Sequence, residues 1–358
     1  MKLIANLSML GPKPTGLGVY SGHCSQALAS RFTASFIAGQ SPCPPGEVLV
    51  KAPESVAIGG GKLAAIRRQL WMRSLSFDAG SLVYSPTHHG LPGVRDQIIT
   101  IHDLICLRFP SQHKPQYLFF KFGLPRLLKK CRAVFCVSET TRQDVAQTYG
   151  YPADRIYVVP NGVDTTSFSA NPAAREGDPY LLMVGARYSH KNVDEVLAMS
   201  EMWSPKFRLL VTSCSGGYRE HLEQLVASRG LTDRVEFLDY LSRDELLRLY
   251  QGAAALLYPS KWEGFGIPPL EALACGTPVI ASGIPVHREV LGDAALFVEL
   301  GDRRSWAAAF DALAADTESG RRRQAGEAVL NRFTWENSAD ILVRSLLAVE
   351  PKLASQLR

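Results

Sequence analysis

Apolar and polar positions along this chain fall into two alternating kinds of segment. Short β-branched runs, KLIANL (2–7), SLVYS (81–85), QIITIHD (97–103), AVFCVS (133–138) and IYVVPNG (156–162), predict strands. Between them, VYSGHCSQALASRF (19–32), GKLAAIRRQLWMRSL (61–75), QYLFFKFGLPRLLKKC (116–131) and SETTRQDVAQTYG (138–150) have helical length and amphipathic spacing. Strand–helix alternation predicts parallel sheets with helices on both faces. The polar, turn-rich stretch 162–179 predicts a linker, and a second alternating series follows from YLLMVGA (180–186) to PVIAS (278–282). The expected fold class is therefore α/β, with two doubly wound domains, 1–170 and 171–334, facing across a cleft. Open sheets of this kind bind ligands beyond the carboxyl ends of their strands, so chemistry is expected there.

Composition narrows the class. A chain of 358 residues exceeds what one core usually serves, and 46% hydrophobic with 20% charged residues describes an ordinary globular protein. The start, MKLIANLSMLGPKP, is a poor secretory signal and reads as a first strand. No run of about 18 apolar residues predicts a membrane span. Seven scattered cysteines without a CxxC pair suit reduced thiols, so a cytoplasmic protein is expected. Charge is uneven: residues 1–170 carry 18 Lys and Arg against 9 Asp and Glu, while 171–358 carry 21 against 25. A basic front half suits a phosphorylated acceptor or an acidic lipid surface, against the plain alternative of drift in surface composition.

Chemistry concentrates in WEGFGIPPLEALACGTPVIAS (262–282). Glu263 and Glu271 stand eight apart among glycine, proline and apolar residues, where an unpartnered acid is costly to bury. Glu263 falls in the loop after the strand ALLYPS, and Glu271 is expected in the first turn of the next helix. Gly264 and Gly266 let backbone amides approach a ligand, and the helix start suits phosphate. Carboxylates only accept hydrogen bonds, so the pair suggests hydroxyl donors such as the rings of a nucleotide sugar. A helix-end charge and a solvated loop acid are the structural alternatives.

This segment resembles the signature of the family 4 retaining glycosyltransferases, which have two Rossmann-like domains, the GT-B fold. The resemblance implies that Glu263 touches the donor sugar's hydroxyls and that Glu271 binds the ribose, with Phe265 and Ile267 inside the same donor loop. VGARYSHKN (184–192) resembles the family's diphosphate-binding loop, which implies that Lys191 and Arg187 offset charge on the leaving nucleotide. Many relatives place that arginine one position earlier, where Ala186 stands here. TIHDLICLRFP (100–110) resembles the family's His segment, implying that His102 lies near the sugar, with Asp103 holding the loop. PTGLGVYSGH (14–23) resembles the glycine-rich turn that brings the amides of Gly16 and Gly18 toward the sugar and diphosphate; as a dinucleotide fingerprint it is broken at Ser21. VSETTRQDV and VVPNGVD also look like family segments, although Ser138 and Asn161 equally suit cap and turn roles. FTWENSADILVRSLLAV resembles the family's final helix, implying that 335–350 packs back onto the first domain.

The function expected is transfer of a hexose from a nucleotide diphosphate sugar to a glycan or lipid-linked acceptor in cell-surface polysaccharide synthesis. Retention of configuration is implied by the resemblance, and mannose from GDP-mannose by its commonness among similar enzymes. No metal or other cofactor is expected, since no acid or His cluster has ligand spacing, and no nucleic-acid partner. A non-catalytic nucleotide-sugar binder, a nucleotide-sugar epimerase and an NAD-dependent oxidoreductase are the competing classes. His88 and His89, in SPTHHG, are acceptor-side candidates. In the helix at 61–75, Leu63, Ile66 and Leu70 share a face, with Lys62, Arg67, Arg68 and Arg73 largely elsewhere. FFKFGLPRLLKKCR gathers Lys121, Arg126, Lys129, Lys130 and Arg132. Both segments fit core helices with a charged outer face, the plainer reading, or helices resting on the anionic face of a membrane.

Overall fold

All the strand pairings described below are parallel. The computed structural model describes residues 1–11, 16–40, 44–56, 64–171, 177–315 and 319–358. They divide into two units, Met1–Gly162 with Trp335–Arg358, and Val163–Thr334.

The first unit is built on seven strands: β1 Lys2–Asn6, β2 Ala34–Ala38, β3 Glu47–Lys51, β4 Ser81–Ser85, β5 Gln97–Ile101, β6 Cys131–Cys136 and β7 Ile156–Val158, in the order β3-β2-β1-β4-β5-β6-β7. The central strands are buried on both faces, which is why they read as continuous apolar runs. The pattern did not reveal β2 or β3. β2 follows the helix Gly16–Arg31 almost directly, without a turn former. β3 is an edge strand with charged ends, and its Val48 is exposed. The helix Trp335–Val349 lies in this unit against Gly16–Arg31: His23 stacks on Trp335 at 3.9 Å between ring centroids, and Arg31 pairs with Asp340 at 3.1 Å.

Both basic segments are helical, and each leaves some apolar residues outside the core. Helix Ala64–Ser74 leaves Ile66 and Leu70 59% and 60% exposed, so their apolar face is turned outward. Lys62 and Leu63 lie outside the described residues. The second segment is one helical run, Lys114–Leu118 and Leu124–Leu128 joined without a break by a π-helical turn, Phe119–Gly123. Pro125 cannot donate a backbone hydrogen bond, and the π-helical turn lies just before it. Phe120, Leu124 and Leu127 enter the core, whereas Leu118 and Phe122 are more than half exposed.

The second unit carries β8 Tyr180–Met183, β9 Arg208–Thr212, β10 Val235–Leu238, β11 Ala255–Tyr258, β12 Val279–Ser282 and β13 Leu296–Val298, in the order β10-β9-β8-β11-β12-β13. Its core is packed around Trp203 and Trp306, both fully buried. The order reverses between β8 and β11, which pair Leu181 with Ala255 and Leu182 with Leu256. Loops leaving two neighbouring parallel strands emerge side by side, although the strands are about seventy residues apart in sequence. No helix among the described residues is long and apolar enough to cross a membrane.

Candidate functional site

The loop after β8 carries Lys191 and the loop after β11 carries Glu263. The Lys261 amide donates to the His190 carbonyl at 2.8 Å and ties the two loops together. Gly185 turns the first loop at φ +73°, and Asn192 closes it at φ 64° before the helix Val193–Ala198. Gly266 turns the second at φ +97°, immediately before the helix Ile267–Ala274. A side chain there would have to adopt a left-handed conformation, with its Cβ in contact with the Tyr258 ring at 3.4 Å.

Lys191 Nζ donates to Glu263 Oε1 at 2.5 Å and to Tyr258 Oη at 3.1 Å. Both side chains are largely buried, with 17% and 10% of their surfaces accessible. Burial pushes the Glu263 carboxyl up, but the Lys191 ammonium beside it wins and holds it down at about 2. Burial works against the Lys191 charge too, and the Glu263 carboxylate outweighs it, raising the ammonium above its ordinary value. The outcome is a charged pair in a dry setting, where electrostatic interactions are strong.

Glu271 forms a second polar centre. Tyr250, fully buried, donates its hydroxyl to Glu271 Oε2 at 2.8 Å. Because the helix begins at Ile267, Glu271 is its fifth residue and stands in the second turn, not the first. The helix-end charge that would favour a carboxylate in the first turn is thus weak here. Its carboxyl is raised above the usual range by burial, against the lowering influence of Tyr250 and Arg243. Cys275 is the C-cap of this helix, and Gly276 after it, at φ +71°, turns the chain away in the left-handed conformation.

The remaining candidates are placed as follows. Arg187 is exposed, its guanidinium 5.6 Å from the Tyr188 ring centroid, and it forms no ion pair among the described residues. Gly264 and Phe265 are buried, and Phe265 packs edge-on against Phe333 at 5.2 Å; Ile267 opens the helix half-buried. In the first unit, Gly16 and Gly18 form the opening turn of the helix Gly16–Arg31; Pro14 and Thr15 before them lie outside the described residues. Among the described residues, a Cβ on Gly16 would meet nothing within 4 Å.

His102 follows β5. Its Nε2 lies 3.0 Å from the Pro86 carbonyl, and its ring meets Tyr20 edge-on at 4.7 Å. A carbonyl only accepts, so Nε2 carries the proton and Nδ1 of the neutral ring is an acceptor. Burial lowers its pKa to about 4, so the ring is neutral at physiological pH. Asp103 accepts from the Ile105 amide at 2.9 Å and steadies the loop. Ser138 caps the helix Glu139–Tyr149 by accepting from Thr141 at 3.0 Å. His88 is buried among aromatic rings, 4.8 Å from Phe120 between centroids.

Sequence reasoning missed Tyr258, Tyr250 and His287. His287 is fully buried, with its ring centroid 5.1 Å from that of Tyr258 and its Nδ1 3.0 Å from the Ser282 carbonyl. Its Nε2 is buried without a partner among the described residues, and burial lowers its pKa to about 4. The only hint was a histidine shortly after the strand PVIAS. Among the described residues no three His, Cys, Asp or Glu side chains gather as a metal centre.

Comparison with known proteins covers nearly the whole chain. Residues 164–331 match the family model for glycosyl transferases group 1, and residues 14–167 match that for glycosyltransferase family 4. The O-antigen chain mannosyltransferase RfbU of Salmonella typhimurium is 35% identical over 320 residues, covering 86% of this chain and 89% of that protein. The O-antigen chain mannosyltransferase B of Escherichia coli is 28% identical, covering 76% and 74%. Among solved structures, sucrose-phosphate synthase from Thermosynechococcus elongatus superposes with a TM-score of 0.73 at 21% identity, covering 98% of this chain and all of that one. At that identity the likeness concerns the fold, which is GT-B.

Proposed function

This chain belongs to the group 1, family 4 glycosyltransferases, and from that premise we propose that it moves a hexose from a nucleotide diphosphate sugar to a glycan or lipid-linked saccharide during cell-surface polysaccharide synthesis. The observation that carries the reading is the Lys191–Glu263 pair, 2.5 Å apart beyond the carboxyl ends of two adjacent strands, with Glu271 on the helix that follows. A permanently charged ammonium there suits a diphosphate that gains charge as the sugar leaves. Glu263, held ionised, accepts hydrogen bonds from sugar hydroxyls. Glu271 accepts from the ribose, and Arg187, exposed at the rim of the same loop, closes on the diphosphate. In the first unit the Nδ1 of His102 accepts from a further sugar hydroxyl, and Gly16 and Gly18 present backbone amides.

The donor sugar we favour is mannose from GDP-mannose, on the strength of two relatives named as mannosyltransferases. Configuration is retained without a covalent intermediate, because both glutamates are committed: one to a lysine, the other to a tyrosine. The acceptor then attacks on the face from which the nucleotide departs and its proton passes to the departing phosphate. The reaction proceeds without a metal. The enzyme works at the cytoplasmic face of the membrane, with the basic segments of the first unit toward anionic lipid.

The test is a melting-temperature panel of nucleotides and nucleotide sugars, followed by product analysis with donor alone and with acceptor. Selective stabilisation by one nucleotide sugar, and transfer from it, are expected. Binding without transfer would leave a non-catalytic binder, and conversion of donor alone an epimerase.

A further inference from the structure

Asn192 ends the loop that carries Lys191, and its side chain is put to an uncommon use. It stands at φ 64°, buried, directly before the helix Val193–Ala198. An asparagine there ordinarily turns its side-chain oxygen onto an amide of the first helical turn, but Asn192 makes no such bond. Its side-chain amide donates instead to Glu195 Oε2 at 2.6 Å. Glu195 is the third helical residue, where a glutamate commonly reaches back to the backbone N–H before the helix. Here that N–H goes to the Ser189 carbonyl, and Glu195 Oε1 points elsewhere. It takes the Gly301 amide at 2.7 Å and the Trp306 indole N–H at 2.9 Å.

One carboxylate thus gathers three donors: from the loop after β8, from the loop after β13, and from the helix Arg303–Ala315. β13 is the edge strand, three places from β8 in the sheet, and Trp306 is fully buried. A group with two acceptor oxygens and no donor serves all three. Hydrogen bonds to a charged group are the stronger kind, so the tie from Asn192 into the core is firm. Lys191 is the residue before Asn192, with its own amide on the Tyr188 carbonyl.

We propose that Glu195 is a positioning residue: acting through Asn192, it fixes the backbone from which Lys191 reaches the diphosphate. The inference rests on the reading of Lys191 as the group that meets the leaving nucleotide. A displacement of about 1 Å at such a group costs up to about a hundredfold in rate.

The experiment is a cycle of variants in the full chain, read by transfer from GDP-mannose and by exchange of the Lys191 and Asn192 amides. Asn192→Gly removes the tie and suits the left-handed backbone. Asn192→Asp, also tolerated there, sets two carboxylates against each other. Each should lower kcat by about ten- to a hundredfold and leave the donor KM within about threefold. Exchange of the two amides should speed up by about tenfold. Adding Glu195→Gln to Asn192→Asp turns the bond round: the glutamine amide donates to the aspartate, and its oxygen still takes Gly301 and Trp306. This double should return kcat to within about fivefold of wild type and restore slow exchange. Trp203→Phe damages the same core without touching Glu195; it should lower Tm and leave kcat within about threefold. Unchanged kcat in both single variants, a double no better than Asn192→Asp, or an equal loss of kcat in Trp203→Phe would each overturn the proposal. The two readings fail separately. A wild type that transfers nothing while exchange follows the cycle sinks the transferase reading alone, and normal transfer with exchange unmoved by every variant sinks the tie alone.

Discussion

Replacing Lys191 by methionine removes the charge at the centre of the proposed donor site and keeps much of the volume. Holding the Glu263 carboxyl at about 2, against 4.5 for the free side chain, corresponds to ~3 kcal/mol of native stability at neutral pH. The sign follows from the direction: a depressed carboxyl adds stability that is complete above about 4.5 and disappears as pH falls toward 2. With Lys191 gone, Glu263 is a buried carboxylate without its partner, so at pH 7 the variant should lose ~3 kcal/mol, at the lower end of broken buried pairs. Near pH 4 the orphaned carboxyl takes up a proton, so the loss should shrink. Adding Glu263→Gln to Lys191→Met should recover most of the stability at pH 7, a coupling of at least ~2 kcal/mol. Amide hydrogen exchange in the β8 and β11 peptides of the full chain reads this local free energy without assuming that both units unfold together. Activity should nevertheless fall in Lys191→Met, in Glu263→Gln alone and in the restabilised double. Single-variant losses that add to within ~0.5 kcal/mol, or a cost that does not change between pH 7 and pH 4, would refute the coupled pair.

Three further outcomes can be checked in the transfer assay. Glu271→Gln should raise the donor KM more than the acceptor KM, and equal effects would contradict a ribose contact. His102→Gln should lower transfer while reducing the stability lost on acidification. The wild-type imidazole, depressed to about 4 against 6.5 when free, resists a proton that the unfolded chain accepts, so stability falls as pH drops from about 6.5 to 4; identical pH–stability profiles for both proteins would argue against a buried neutral ring. Transfer should survive exhaustive treatment with EDTA, and a strict requirement for added Mn²⁺ or Mg²⁺ would contradict a metal-free reaction.

Much of the α/β pattern was legible because strands buried on both faces must be apolar throughout and helices on a sheet must be apolar every third or fourth residue. The loop carrying Glu263 stood out too, because two acids in an apolar, glycine-rich run are costly to bury without partners. Side-chain pairing was not. That Glu263 meets Lys191 follows from the adjacency of β8 and β11, a feature of strand order on which local pattern is silent. The tyrosines that hold the site are ordinary strand and helix residues in sequence, and Glu271 moved to the second turn because the helix start is set by Gly266 at φ +97°.

The linear chain, then, determined where apolar runs and chemically expensive residues stand, since burial propensity and charge belong to each residue before it folds. Tertiary structure alone decided which of them touch and which way an amphipathic face is turned. The stripe of Ile66 and Leu70 has helical spacing whether it faces core or solvent, and only packing shows that it faces out.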